Sequence, residues 1–89
     1  MKLRKTERYA SKETKFFKKH PDLVDKYGDV LEKLSFDIFE PSLKLHRLKG
    51  NLSEYHAVSL TYEYRIVLIL KIVDDEIVLF NIGTHDDVY

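Results

Sequence analysis

Between Arg65 and Asn81 the chain carries two apolar runs rich in β-branched residues, and this stretch restricts its fold more than any other. It divides into Arg65–Val73 and Glu76–Asn81 at the acidic pair Asp74-Asp75. Val and Ile fit a pleated buried surface, whereas Asp resists continuing a strand, so the stretch predicts two joined strands at a sheet centre. The tail from Ile82 to Tyr89 then turns polar. It sets an imidazole, two carboxylates and a terminal phenol at the rim of a rigid scaffold, a common seat of function.

The rest of the chain must cover that sheet. At 89 residues there is room for one domain with one shared core, spanning residues 1–89. Leu3 to Arg8 alternates weakly, as a short edge strand protected by its cations would. Ser11 is a candidate N-cap for a helix over Lys12–Lys19, and Pro21 ends it and opens a second helix. There Leu23, Tyr27, Val30, Leu31 and Leu34 form a core-facing stripe. Gly28 interrupts this helix, and close packing against the sheet would explain it. Pro41 bars continuation. Leu43–Leu48 reads as a short strand or its approach, and Glu54–Leu60 alternates cleanly, with His56, Val58 and Leu60 opposite Tyr55, Ala57 and Ser59. The order β-α-α-β-β-β implies an α+β fold, an antiparallel sheet with both helices on one side.

Composition narrows the function classes. An apolar fraction of 44% with 34% charged residues fits a globular chain. With no cysteine, disulfides, thiolate zinc sites and thiol catalysis are excluded, and a reducing cytoplasm suits the chain. The basic N-terminus lacks the apolar run of a secretory signal, and no run is long enough to span a membrane. Net charge is zero but unevenly spread: residues 1–20 hold eight Lys or Arg against two Glu, and residues 21–40 hold six acids against two bases. Lys44, Arg47 and Lys49 make the middle basic again, which permits a surface facing nucleic acid.

His20, His46, His56 and His85 have no metal-ligand spacing, and neither a serine elbow nor a phosphate-cradling glycine loop occurs. No metal or cofactor is therefore expected. What remains is a set of His46, Lys49, Glu63, Arg65, His85 and Tyr89, suited to acid–base cleavage of a phosphodiester. RNA brings its own 2'-hydroxyl nucleophile. One group must take its proton, another must protonate the leaving 5'-oxygen, and cations must hold the phosphorane. Imidazole serves either proton transfer near neutral pH.

Leu45-His-Arg-Leu-Lys-Gly50, Tyr55, Tyr64-Arg-Ile-Val67 and Ile82-Gly-Thr-His85 with its terminal aromatic together resemble the YafQ branch of the RelE/ParE toxin superfamily. The resemblance runs over essentially the whole chain. It implies a small sheet with two N-terminal helices, and a toxin of a type II toxin–antitoxin system that cleaves mRNA in the ribosomal A site. By resemblance His46 is a catalytic histidine, His85 the general acid and Tyr89 a C-terminal aromatic near the base. Glu63 stands where the branch often has an aspartate, so either His46 or Glu63 is the general base. Lys49 and Arg65 match basic positions that bind phosphate. Ser59 departs from the pattern, falling where well-known members carry a further histidine. His56 does not replace it, since three residues along a strand should put it on the opposite face. The implied partners are a cognate antitoxin, ribosome-bound mRNA and, through the antitoxin, operator DNA, with no membrane. Two other readings remain open: a gyrase-poisoning toxin of the ParE side, and a catalytically inactive antitoxin-binding module.

Overall fold

The computed structural model describes residues 1–52 and 54–88. Its sheet has the order β1-β5-β4-β3-β2, with β1 at Lys2–Lys5, β2 at His46–Arg47, β3 at His56–Ser59, β4 at Tyr64–Lys71 and β5 at Glu76–Thr84. Two helices, α1 (Glu7–Lys19) and α2 (Val24–Phe36), follow β1, and a short α3 (His85–Val88) follows β5. As the apolar run predicts, β4 and β5 pair near the centre of the sheet. Lys71 faces Glu76 where their hairpin closes, and Asp75 takes a left-handed φ of 52° in the turn. Ile72 and Val73 are given up to that turn and are exposed.

The two sheet faces bury different sets. Against one, Tyr27, Val30 and Leu34 of α2 join Tyr9 of α1 over Val58, Ile66, Leu68, Ile77 and Leu79. On the other, Leu48, Ala57 and Val67 pack with Val88 of α3. The α+β class and the two N-terminal helices on one side are thus those the sequence implies.

Several details differ. The sheet is mixed, because β1 lies parallel to β5 with Leu3 opposite Ile77. A weakly alternating edge segment identifies a strand without fixing its direction. The helix α1 begins before Ser11, since Thr6 has extended backbone and its hydroxyl accepts from the Tyr9 amide at 3.0 Å. Ser11 sits inside the helix, exposed. Of the stretch Leu43–Leu48 only His46–Arg47 pairs as a strand, because a 3₁₀ turn at Pro41–Leu43 takes up its start and Lys44 leaves that turn with φ 52°. Gly28 is exposed, and a Cβ there would meet nothing within 4 Å, so close packing does not explain it.

A β-bulge marks the meeting of β4, β5 and α1. Val67 faces Asn81 while Leu68 faces Leu79, leaving Phe80 as the extra residue. Here β1 ends, opposite Leu79, and α1 takes over the edge. Asn81 is buried, but its side-chain oxygen accepts from Lys12 Nζ at 2.8 Å and from the Ile82 amide at 2.9 Å. An unpaired amide at this depth would cost about 1–3 kcal/mol.

A second polar chain fastens the helices together. Tyr9 and Tyr27 hydroxyls lie 2.7 Å apart, Tyr27 donates to the Glu13 carboxylate, and Lys5 Nζ is 2.8 Å from the same carboxylate. Burial pushes both phenols well above the usual tyrosine range, so they stay neutral donors.

Candidate functional site

Residues opposite one another across a sheet point to the same face. One row carries His46, Ala57 and Val67, and a parallel row two residues along carries Ser59, Arg65 and Gly83. Ala57 and Val67 belong to the cluster under α3, so His46, Ser59 and Arg65 share the face turned away from α1 and α2. Two residues beyond Gly83, the chain opens α3 with His85. Neighbouring strands are about 4.8 Å apart and each residue advances about 3.3 Å, so His46 and Arg65 begin roughly 12 Å apart. That interval admits a nucleotide between their side chains.

His46 is exposed, and its Nδ1 lies 3.1 Å from the Lys44 carbonyl oxygen. A carbonyl can only accept, so Nδ1 carries the proton, and the neutral ring's lone pair is on Nε2. The turn that leaves Lys44 left-handed thereby sets the tautomer of His46. His85 is also exposed, with Nδ1 3.6 Å from Asp86 Oδ1. Glu63 is exposed in the β3–β4 connection, where its amide donates to the Thr61 hydroxyl at 3.2 Å. Lys49 is exposed just after β2. Tyr89 lies outside the described residues.

Arg65 opens onto a concavity of about 270 Å³ whose lining includes Lys26, Lys44, Ser42, Ser59 and Thr61. Three cations and three hydroxyls round one hollow can bind an anion through both charge and hydrogen bonds. The sequence places Lys44 in the basic middle but gives no sign that Lys26, from the acidic segment, joins it. The fold brings them together because the start of α2 and the β3–β4 connection line the same hollow. His56 lies on the other face, opposite Leu68, as strand alternation predicts. Its Nδ1 is buried with no partner among the described residues, and its pKa is pushed down by burial, then by Arg47 and His46.

A second hollow of about 400 Å³ runs between α1 and the ends of β4 and β5, lined by Lys12, Lys15, Lys19, His20, Tyr64 and Thr84 among others. His20 is held in an aromatic cluster, its ring centroid 4.5 Å from Phe16 and 4.8 Å from Tyr64. Among the described residues no three His, Asp or Glu side chains group closely enough to hold a metal ion. Nor is any described helix long and apolar enough to cross a membrane.

No family model and no curated protein matches the sequence. Solved structures do match the fold. A copper-bound mutant toxin from Helicobacter pylori superposes with a TM-score of 0.82 at 21% identity, over 100% of this chain and 99% of that one. YafQ from E. coli gives 0.80 at 13% identity, over 98% and 96% of the two chains. The toxin–antitoxin pair YoeB-YefM from Staphylococcus aureus gives 0.73 at 21% identity, over 96% and 97%. The chain has the fold of RelE/ParE-like toxins.

Proposed function

We propose that this chain, built on the RelE/ParE-like toxin fold, is the toxin of a type II toxin–antitoxin pair and cleaves mRNA in the ribosomal A site without a cofactor. The observation that carries the proposal is the shared face of His46 and Arg65, with His85 opening the helix next to Arg65's cross-strand partner. His46 Nε2 takes the proton of the RNA 2'-hydroxyl, whose oxygen attacks the adjacent phosphorus. His85 protonates the departing 5'-oxygen, so the P–O5' bond breaks and a 2',3'-cyclic phosphate and a 5'-hydroxyl form. Arg65 and Lys44 hold the phosphorane's added charge. Choosing His46 over Glu63 as base rests on the Lys44 carbonyl, which leaves Nε2 as the acceptor. Glu63, Lys49 and Tyr89 then serve binding and orientation.

Dependence on the ribosome follows from exposure. Both imidazoles are exposed, His46 on β2 and His85 at the start of α3, and exposure alone gives an RNA strand no reactive positioning. A partner that presents the strand already ordered supplies that positioning. The chain is also expected to meet a neutralising protein partner, and through it operator DNA.

The test is primer-extension mapping of a translated mRNA with purified ribosomes, comparing the native chain with a folded His85→Ala variant. Breaks within the A-site codon that vanish in the variant are expected. Equal cleavage by both proteins would remove His85 from the chemistry. No cleavage by either would move the reading to gyrase poisoning or an inactive module, to be separated by a supercoiling assay.

A further inference from the structure

The α2 C-terminus carries a feature that RNA cleavage does not use. Phe36 closes the helix at 85% exposure, and Phe39, in the turn that follows, is 77% exposed. Between them Ile38 is buried in the main core, so the turn is anchored with one phenyl ring on either side left outside. The turn is also fixed by its own hydrogen bonds. Asp37 Oδ1 accepts from the Phe39 amide at 3.0 Å, the Asp37 carbonyl accepts from the Glu40 amide at 3.1 Å, and Glu40 caps the next turn through Ser42. Two large apolar side chains are thus held in water on a rigid backbone.

Beside them lies a hollow of about 330 Å³ lined by Asp29, Glu32, Lys33, Phe36, Asp37 and Glu40. Four carboxylates against one amine give a local charge of −3, and that amine donates to Ser42. Beyond a small hollow lined by Lys26, Asp29 and Lys33 among others, two hollows carry only cations as charged residues: Lys12, Lys15 and Lys19 in one, Lys26, Lys44 and Arg65 in the other. A polyanion is drawn to those and repelled here.

We infer that Phe36 and Phe39, with the carboxylates of Asp29, Glu32 and Asp37, form a protein-docking surface. Its occupant is a segment of the neutralising partner that carries apolar side chains flanked by Lys or Arg. The rings supply the desolvated centre and the acids a polar rim that selects a basic sequence. This rests on the reading of the chain as one half of a toxin–antitoxin pair.

The test uses the full chain and the protein encoded beside its gene, with affinity measured by titration calorimetry. Phe36→Ser with Phe39→Ser, and separately Glu32→Lys, are compared with the native chain, and melting is followed in parallel. Loss of on the order of thirtyfold in affinity for the double variant, and a smaller loss for Glu32→Lys that fades at high salt, are expected with unchanged melting. Native-like affinity in both variants would overturn the inference and leave the pair intact. Failure of the native chain to bind would overturn both. Self-association of the native chain that the double variant abolishes would give the surface to a second copy and overturn the inference too.

Discussion

Replacing Gly28 by alanine should stabilise the protein, and the structure sets the size of the effect. The residue lies inside α2, exposed, and an added Cβ meets nothing within 4 Å, so no packing is gained or lost. What changes is the backbone freedom of the unfolded chain and the exposure of helical peptide groups. Both favour alanine over glycine by about 1 kcal/mol in a helix interior. For a domain of this size that raises the melting temperature by roughly 4–8 °C. Circular dichroism melts at one pH and protein concentration read it directly, and urea titrations should show a higher midpoint at unchanged slope. Serine at the same place should give a smaller gain, about half, because its helix propensity lies between the two. An unchanged or lowered melting temperature for Gly28→Ala would refute the reasoning, since it would mean this face of α2 is occupied in solution.

Three further outcomes follow from the same structure. Glu13→Ala should cost about 1–3 kcal/mol in urea unfolding by stranding the Tyr27 hydroxyl, whereas Tyr9→Phe, which leaves Tyr27 its acceptor, should cost about 1 kcal/mol; the reverse order would refute donation running from Tyr9 through Tyr27 to Glu13. Burial holds the folded-state pKa of His56 below the ordinary imidazole value of about 6.5, so the unfolded chain binds its proton more readily. Its stabilising effect is full above about 6.5 and declines as pH falls below that toward the folded-state value, and His56→Gln should flatten that part of a stability–pH curve. Arg65→Lys keeps the charge but loses the planar fork, and should lower ribosome-dependent cleavage roughly tenfold against roughly a hundredfold for Arg65→Ala, with melting of both unchanged; equal activity of all three would take Arg65 out of the site.

The sequence carries the sheet centre and the second helix clearly because each has a strong period. Val67 and Leu79 are apolar where a central strand needs them, and Tyr27, Val30 and Leu34 recur at helical spacing. Alternation in β3 also separates His56 from Ser59 correctly. What the sequence does not carry are features decided by distant partners. The parallel direction of β1 depends on β5, more than seventy residues away. The bulge at Phe80 falls where β1 ends opposite Leu79, and no local pattern announces it. Thr6 outcompetes Ser11 as a cap because the chain leaves β1 in extended geometry at Thr6. In the candidate site, His46, Arg65 and His85 stand out by residue type, but Lys26 joins Arg65 only because the start of α2 lines the same hollow.

The uneven placement of charge along the chain also explains how a molecule of zero net charge can present opposite fields. Its first twenty residues are basic and the next twenty acidic, and the first block folds into β1 and α1 while the second is mostly α2, so separation along the sequence becomes separation in space. Most of the first block lies on α1, beside the hollow lined by Lys12, Lys15 and Lys19. Four of the six acids of the second, Asp29, Glu32, Asp37 and Glu40, gather round Phe36 toward the end of α2. Lys26 is the exception that shows the rule: it sits in the acidic block, yet near the start of α2 it faces the sheet end and joins Lys44 and Arg65. With a Debye length of about 8 Å at physiological salt, Lys26 and Phe36, about 15 Å apart along α2, are largely screened from one another, while Asp29, one turn from Lys26, lies within reach of both surfaces. On the proposed function, one face would hold RNA while another holds a basic protein segment, and neither surface needs a net charge on the whole molecule.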